Sequence, residues 1–96
     1  MDEKFGDTLD LQLSAPIQLA NLEPVTVIPL SEPIGKHLAA ARKKADDLEH
    51  LMLLISLNSG VPLPVVECMK QRDLARADDF FGHFAKVATP PGSSGS

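Results

Sequence analysis

Tryptophan and tyrosine are absent from this 96-residue chain, and phenylalanine occurs only four times. Pockets for sugars, nucleobases or flat cofactors lean on aromatic walls, so no such pocket and no cofactor is expected. Cysteine occurs once, as Cys68, which excludes an internal disulfide and fits a reducing compartment. No stretch approaches the ~18–20 apolar residues of a membrane span. The start, Met1-Asp2-Glu3-Lys4, lacks the basic residues and apolar run of a signal peptide. An intracellular protein without a membrane partner is expected. Positive charge is also scarce, the formal net charge being −4. The one basic cluster, Lys36, Arg42, Lys43 and Lys44, is followed at once by Asp46, Asp47 and Glu49. It reads as a solvated helix surface, so no nucleic-acid partner is assigned.

The usual chemistry of active sites is missing as well. His37, His50 and His83 have no metal-ligand spacing with each other or with Cys68. Cys68, in a short apolar segment, reads as an inert buried thiol. Asp46/Asp47 and Asp78/Asp79 are adjacent in sequence, so on a helix each pair diverges by about 100° and cannot share a proton. The glycines are scattered and form no phosphate-cradling loop. No catalytic or metal-binding residue is assigned, and an enzyme is not expected.

What is present is apolar patterning, in a chain that is 44% hydrophobic and long enough for one small domain. Leu9, Leu11 and Leu13 alternate with polar residues, and Val25-Thr26-Val27-Ile28 is β-branched, which predicts two strands joined around Asn21–Pro24. Pro16 marks an edge or a bend in the first strand. The second is expected to close before Pro29 or Leu30. Ser31-Glu32-Pro33 resembles a helix entrance. Residues 36–58 contain neither Gly nor Pro and fit one long helix, or two if Asp46-Asp47 caps the second. Leu53, Leu54 and Leu57 point away from the face of Leu48, Leu51, Met52 and Ile55, so this helix is apolar nearly all round and should be covered on both sides. Gly60 is placed for a left-handed cap. A short helix opens at Val61-Pro62-Leu63-Pro64 and runs through Met69. Asp73 is expected to cap a last helix from Leu74 to about Val87.

The expected fold is therefore α+β, an N-terminal β-hairpin followed by a small bundle of three to four helices. Residues 1–7 read as a loose arm, 8–88 as one domain, and the Pro-Gly-Ser residues 89–96 as a tail that could equally be a cloning scar. In the last helix Leu74, Ala77, Phe81, Phe84 and Ala85 form the expected inner face. Phe80 and Val87 fall at its edge beside Phe84. Together with Leu53 and Leu57, the residues Phe80, Phe84 and Val87 are the candidate partner-binding set. The surplus of apolar surface and a free hairpin edge also predict self-association.

Leu11-x-Leu13-x-x-Pro16-Ile17, then Val25-x-Val27 and Leu30-x-Glu32-Pro33, resembles the opening hairpin of the tail assembly chaperones of Mu-like and related contractile-tailed phages. The Leu-rich run Leu48–Leu57, then Asn58-Ser59-Gly60, Val65-Val66, Met69, Asp73 and the group Phe80, Phe81 and Phe84, resembles the second half of that family. The likeness runs from about Leu9 to Phe84. It implies a non-enzymatic factor in the host bacterial cytoplasm that binds the tape measure protein and keeps it soluble until tail tube subunits polymerise around it. Those subunits are a further implied partner, and in many such phages a frameshift extends part of the chaperone. The alternatives are a structural tail adaptor subunit and a small regulator or antitoxin-like binding module.

Overall fold

Leu9 and Leu11 face Leu30 and Ile28 across an antiparallel pair, and this alternation makes one side of the hairpin apolar. The computed structural model describes residues 8–20 and 23–88, the last four as backbone alone. Strand β1 (Thr8–Ile17) pairs with β2 (Val25–Ser31). Four helices follow: α1 (Gly35–Ala41), α2 (Asp47–Ser59), α3 (Leu63–Val66) and α4 (Gln71–Ala88). The expected α+β order of hairpin then helices is observed. The residues assigned to the arm and the tail lie outside the described residues, as do Asn21 and Leu22 of the turn.

Strand β2 does not close before Pro29 but runs on to Ser31. The reason lies in the phase of the ladder. Ser31 exchanges its N–H and C=O with the side-chain amide of Asn58 (2.9 and 3.0 Å), so both groups point away from β1. Antiparallel positions alternate between facing the partner and facing away, so Pro29, two residues earlier, also faces away. Its missing N–H therefore removes no ladder bond. Ser31 thus ends a strand and does not start a helix, and α1 enters at Ile34, whose carbonyl accepts from His37 and Leu38.

The predicted bend at Pro16 is a large irregularity. Between the pairs Gln12–Val27 and Ile17–Val25, five steps of β1 face two of β2. Residues 13–16 thus stand opposite Thr26 alone, an excess of three, and the irregularity frees the backbone of Ser14.

Residues 36–58 form two helices. Arg42–Asp46 break the run, and the Asp46 carboxylate accepts from the Glu49 N–H at 3.1 Å, which caps α2. Gly60 closes α2 with φ +81°, its N–H donating to the Ser56 carbonyl. The Ser56 hydroxyl then donates to the Val61 carbonyl at 2.7 Å, which fixes the turn into α3. Pro64 sits in the first turn of α3, where its missing N–H has no helical partner to lose.

Helix α4 starts earlier than Leu74. The Lys70 carbonyl accepts from both Asp73 and Leu74, which places Asp73 inside the first turn. Its carboxylate does not cap the helix. It is 1% exposed and accepts from the backbone N–H and hydroxyl of Ser14, at 3.0 and 2.9 Å. Arg76 completes the tie, donating to the Gln12 carbonyl at 2.8 Å and lying 3.4 Å from Asp73. The bulge of β1 is thus pinned to the base of α4.

The core gathers Leu11, Ile17, Ile28 and Leu30 from the hairpin, Ala41, Leu54 and Ile55 from α1 and α2, and Val65 and Val66 from α3. Ala77, Phe80 and Phe81 of α4 complete it, with Met69 from the preceding turn. Phe80 is the largest of the fully buried side chains. Its ring takes Phe84 edge-on at 5.0 Å, at 84°.

Candidate partner-binding surface

Helix α2 has two apolar sides with different fates. Leu54 and Ile55 are buried in the core, and Leu51 and Met52 are half-buried against it. Leu53 and Leu57 are half-buried too but lie outside the set of apolar residues packed on the core. They are four residues apart, and so are neighbours along one line of the helix, well around the helix from Ile55. The expected division of faces holds only in part: Leu53 and Leu57 lie away from Ile55, but Leu54 joins Ile55 in the core and Leu48, expected on the inner face, is exposed.

A shallow cleft opens beside Leu53. Met52, Leu53 and Leu63 form its apolar lining, and Lys44, Glu49 and Glu67 its charged rim. Sequence reasoning picked Leu53 but missed Leu63 and the rim. Leu63 lies ten residues away, and only the turn at Gly60 brings α3 back alongside α2. The cleft is open, and its lining offers an apolar contact framed by one cation and two carboxylates.

The other candidate residues are placed differently. The expectation that Phe80 stands at a solvent-facing rim is not met, because Phe80 is the centre of the α4 contact. Helix α4 is rotated relative to the predicted stripe: Asp73, Ala77, Phe80 and Phe84 fall at steps of four, three and four. Counting Asp73 as a cap removed it from this stripe and shifted the expected inner face. Phe81 is buried as expected, and Leu74 is half-buried. Phe84 is half-buried and lies against both Phe80 and His83. The Val87 side chain lies outside the described residues.

Cys68 is exposed, contrary to the buried thiol expected. Helix α3 ends at Val66, and Cys68 sits in the turn beyond it, beside Lys70 and residues 15–18 at the end of β1. The hairpin edges are also less free than expected. Asn58 occupies the outer edge of β2 at Ser31, and Arg76 and Asp73 occupy that of β1 at Gln12 and Ser14. Strand addition there would break these bonds. Among the described residues, large apolar side chains remain exposed at Ile34 (53%), Leu38 (39%) and Leu48 (50%).

Among the described residues no three of His, Cys, Asp and Glu gather to hold a metal. No described helix is long and apolar enough to cross a membrane. A tied hairpin, a small helical bundle and an apolar face left over on α2 make up the described domain. The family model described as "Phage tail assembly chaperone proteins, E, or 41 or 14" matches residues 10–86. That is most of the chain, which therefore belongs to the phage tail assembly chaperone family. No curated protein and no solved structure matches it. Membership makes the chain a tail assembly factor whose partners are tail proteins, in a family that is generally non-enzymatic.

Proposed function

We propose that this chain holds the tape measure protein soluble in the host bacterial cytoplasm, without catalysis, until tail tube subunits enclose it. Family membership supplies the setting, and the observation that carries the reading is the second apolar side of α2. A long helical partner with an apolar stripe aggregates when bare. Leu53, Leu57 and the Met52–Leu63 cleft offer a complementary strip of helix-in-groove type. One such contact is small and weak. Many copies along an extended partner hold it firmly, yet release one at a time as the tube advances.

The test is co-expression with the tape measure protein, followed by measurement of its soluble fraction. Leu53→Asp and Leu57→Asp should send the partner to the pellet while the chaperone itself stays folded and soluble. If both variants keep the partner in solution as well as the parent does, the α2 face is not the contact surface. Purified particles should lack the chain, and its presence there in stoichiometric amount would favour a structural tail adaptor.

A further inference from the structure

We infer that a second copy of this chain covers the α2–α3 cleft when no partner is bound, using the exposed row formed by Leu38 of α1 and the two residues that flank the helix, Ile34 and Arg42. These residues are spaced by four, so they share one side of the helix. Ile34 and Leu38 are two of the three large apolar side chains left exposed among the described residues. The row ends in a cation, Arg42, which is itself exposed.

The cleft is its counterpart in apolar character and charge. Its lining is apolar, through Met52, Leu53 and Leu63, and two of its three rim charges are carboxylates, Glu49 and Glu67. An apolar side chain entering between them would bring Arg42 beside an acid. Lys44, the one cation on the rim, disfavours a row whose cation falls on its side, and so sets the direction of approach. The exposed row belongs to α1 and the cleft to α2 and α3, so the contact joins two different surfaces and is heterologous. The patch is small, which places it among weak, concentration-dependent contacts. Weakness suits a cover that a partner helix must displace. The self-contact needs this chain alone, whereas its role as a cover rests on the proposed function.

Sedimentation velocity of the full chain over a wide concentration range tests the contact. Association should rise with concentration and weaken at least about tenfold in Leu38→Asp, since a carboxylate then meets an apolar lining. Arg42→Glu alone, or Glu49→Arg and Glu67→Arg alone, should each weaken it about fivefold, the scale of reversing one exposed ion pair. Combining Arg42→Glu with at least one of the glutamate reversals should restore the parent affinity. All these positions are exposed, so circular dichroism melts should match the parent. A monomer at every concentration overturns the proposal. So does association indifferent to Leu38→Asp, or reversals that fail to compensate. If the self-contact behaves as described while Leu53→Asp leaves the tape measure protein soluble, the contact stands and the partner-site reading falls.

Discussion

Replacing Asp73 by alanine removes the acceptor for two donors of Ser14, at 3.0 and 2.9 Å. Hydrogen bonds to a charged group contribute roughly 1.5–3 kcal/mol each. Both end on the same oxygen, Oδ2, so their effects do not add fully. The Arg76 contact adds little, because the Arg76 side chain is 51% exposed and solvent screens it. Truncation also relieves the cost of burying a carboxylate, which offsets part of the loss. Against this, the Ser14 N–H sits in the bulge, where β2 supplies no replacement carbonyl. The expected net cost is about 2–3 kcal/mol. A domain of this size has a stability of only about 5–14 kcal/mol. At about 4–8 °C per kcal/mol, the midpoint of thermal unfolding should fall by roughly 10–20 °C. Asp73→Asn retains an acceptor oxygen and should cost about half as much, and Ser14→Ala, which spares the backbone donor, about 1 kcal/mol. Asp78→Ala, which changes an exposed carboxylate of the same helix, is the control and should stay within about 0.5 kcal/mol. If Asp73→Ala melts with Asp78→Ala, the tie does not hold the hairpin to α4 and the argument fails.

Phe80→Ala should cost about 3–5 kcal/mol in urea unfolding, and a loss below 1 kcal/mol would contradict its place at the centre of the core. Asn58→Ala should cost about 1–2 kcal/mol and speed hydrogen exchange at the Ser31 amide; unchanged protection there would show that the amide pair with β2 is not formed in solution. Cys68→Ser should leave stability within about 0.5 kcal/mol and partner binding intact. The native thiol should also react with maleimide without denaturant, and a thiol that reacts only after unfolding would contradict its exposure.

The period-two leucines of β1, the β-branched run of β2, the Asp46 cap and the Gly60 stop are local signals. Each acts through its own backbone or its nearest neighbours, so each was legible without a fold. So was the order of motifs that marks the family. The doubled apolar face of α2 was legible for the same reason, since helical periodicity alone places Leu53 and Leu57 away from Ile55. Which of two overlapping stripes α4 turns inward is not a local matter. Leu74-Ala77-Phe81 and Asp73-Ala77-Phe80 are equally good helical spacings. Asp73 and Phe80 turn fully inward beside Ala77 and Phe81, while Leu74 stays half-buried, because the bulge of β1 presents two donors that the buried carboxylate at position 73 satisfies. Strand length was decided the same way, with Asn58 reaching 27 residues back to hold Ser31 in register. Cys68 is exposed because α3 stops after one turn. The sequence by itself determined the elements, their order and the apolar surplus. The tertiary structure decided which apolar residues are spent on the core and which remain for a partner, because that choice depends on hydrogen bonds between segments some 60 residues apart.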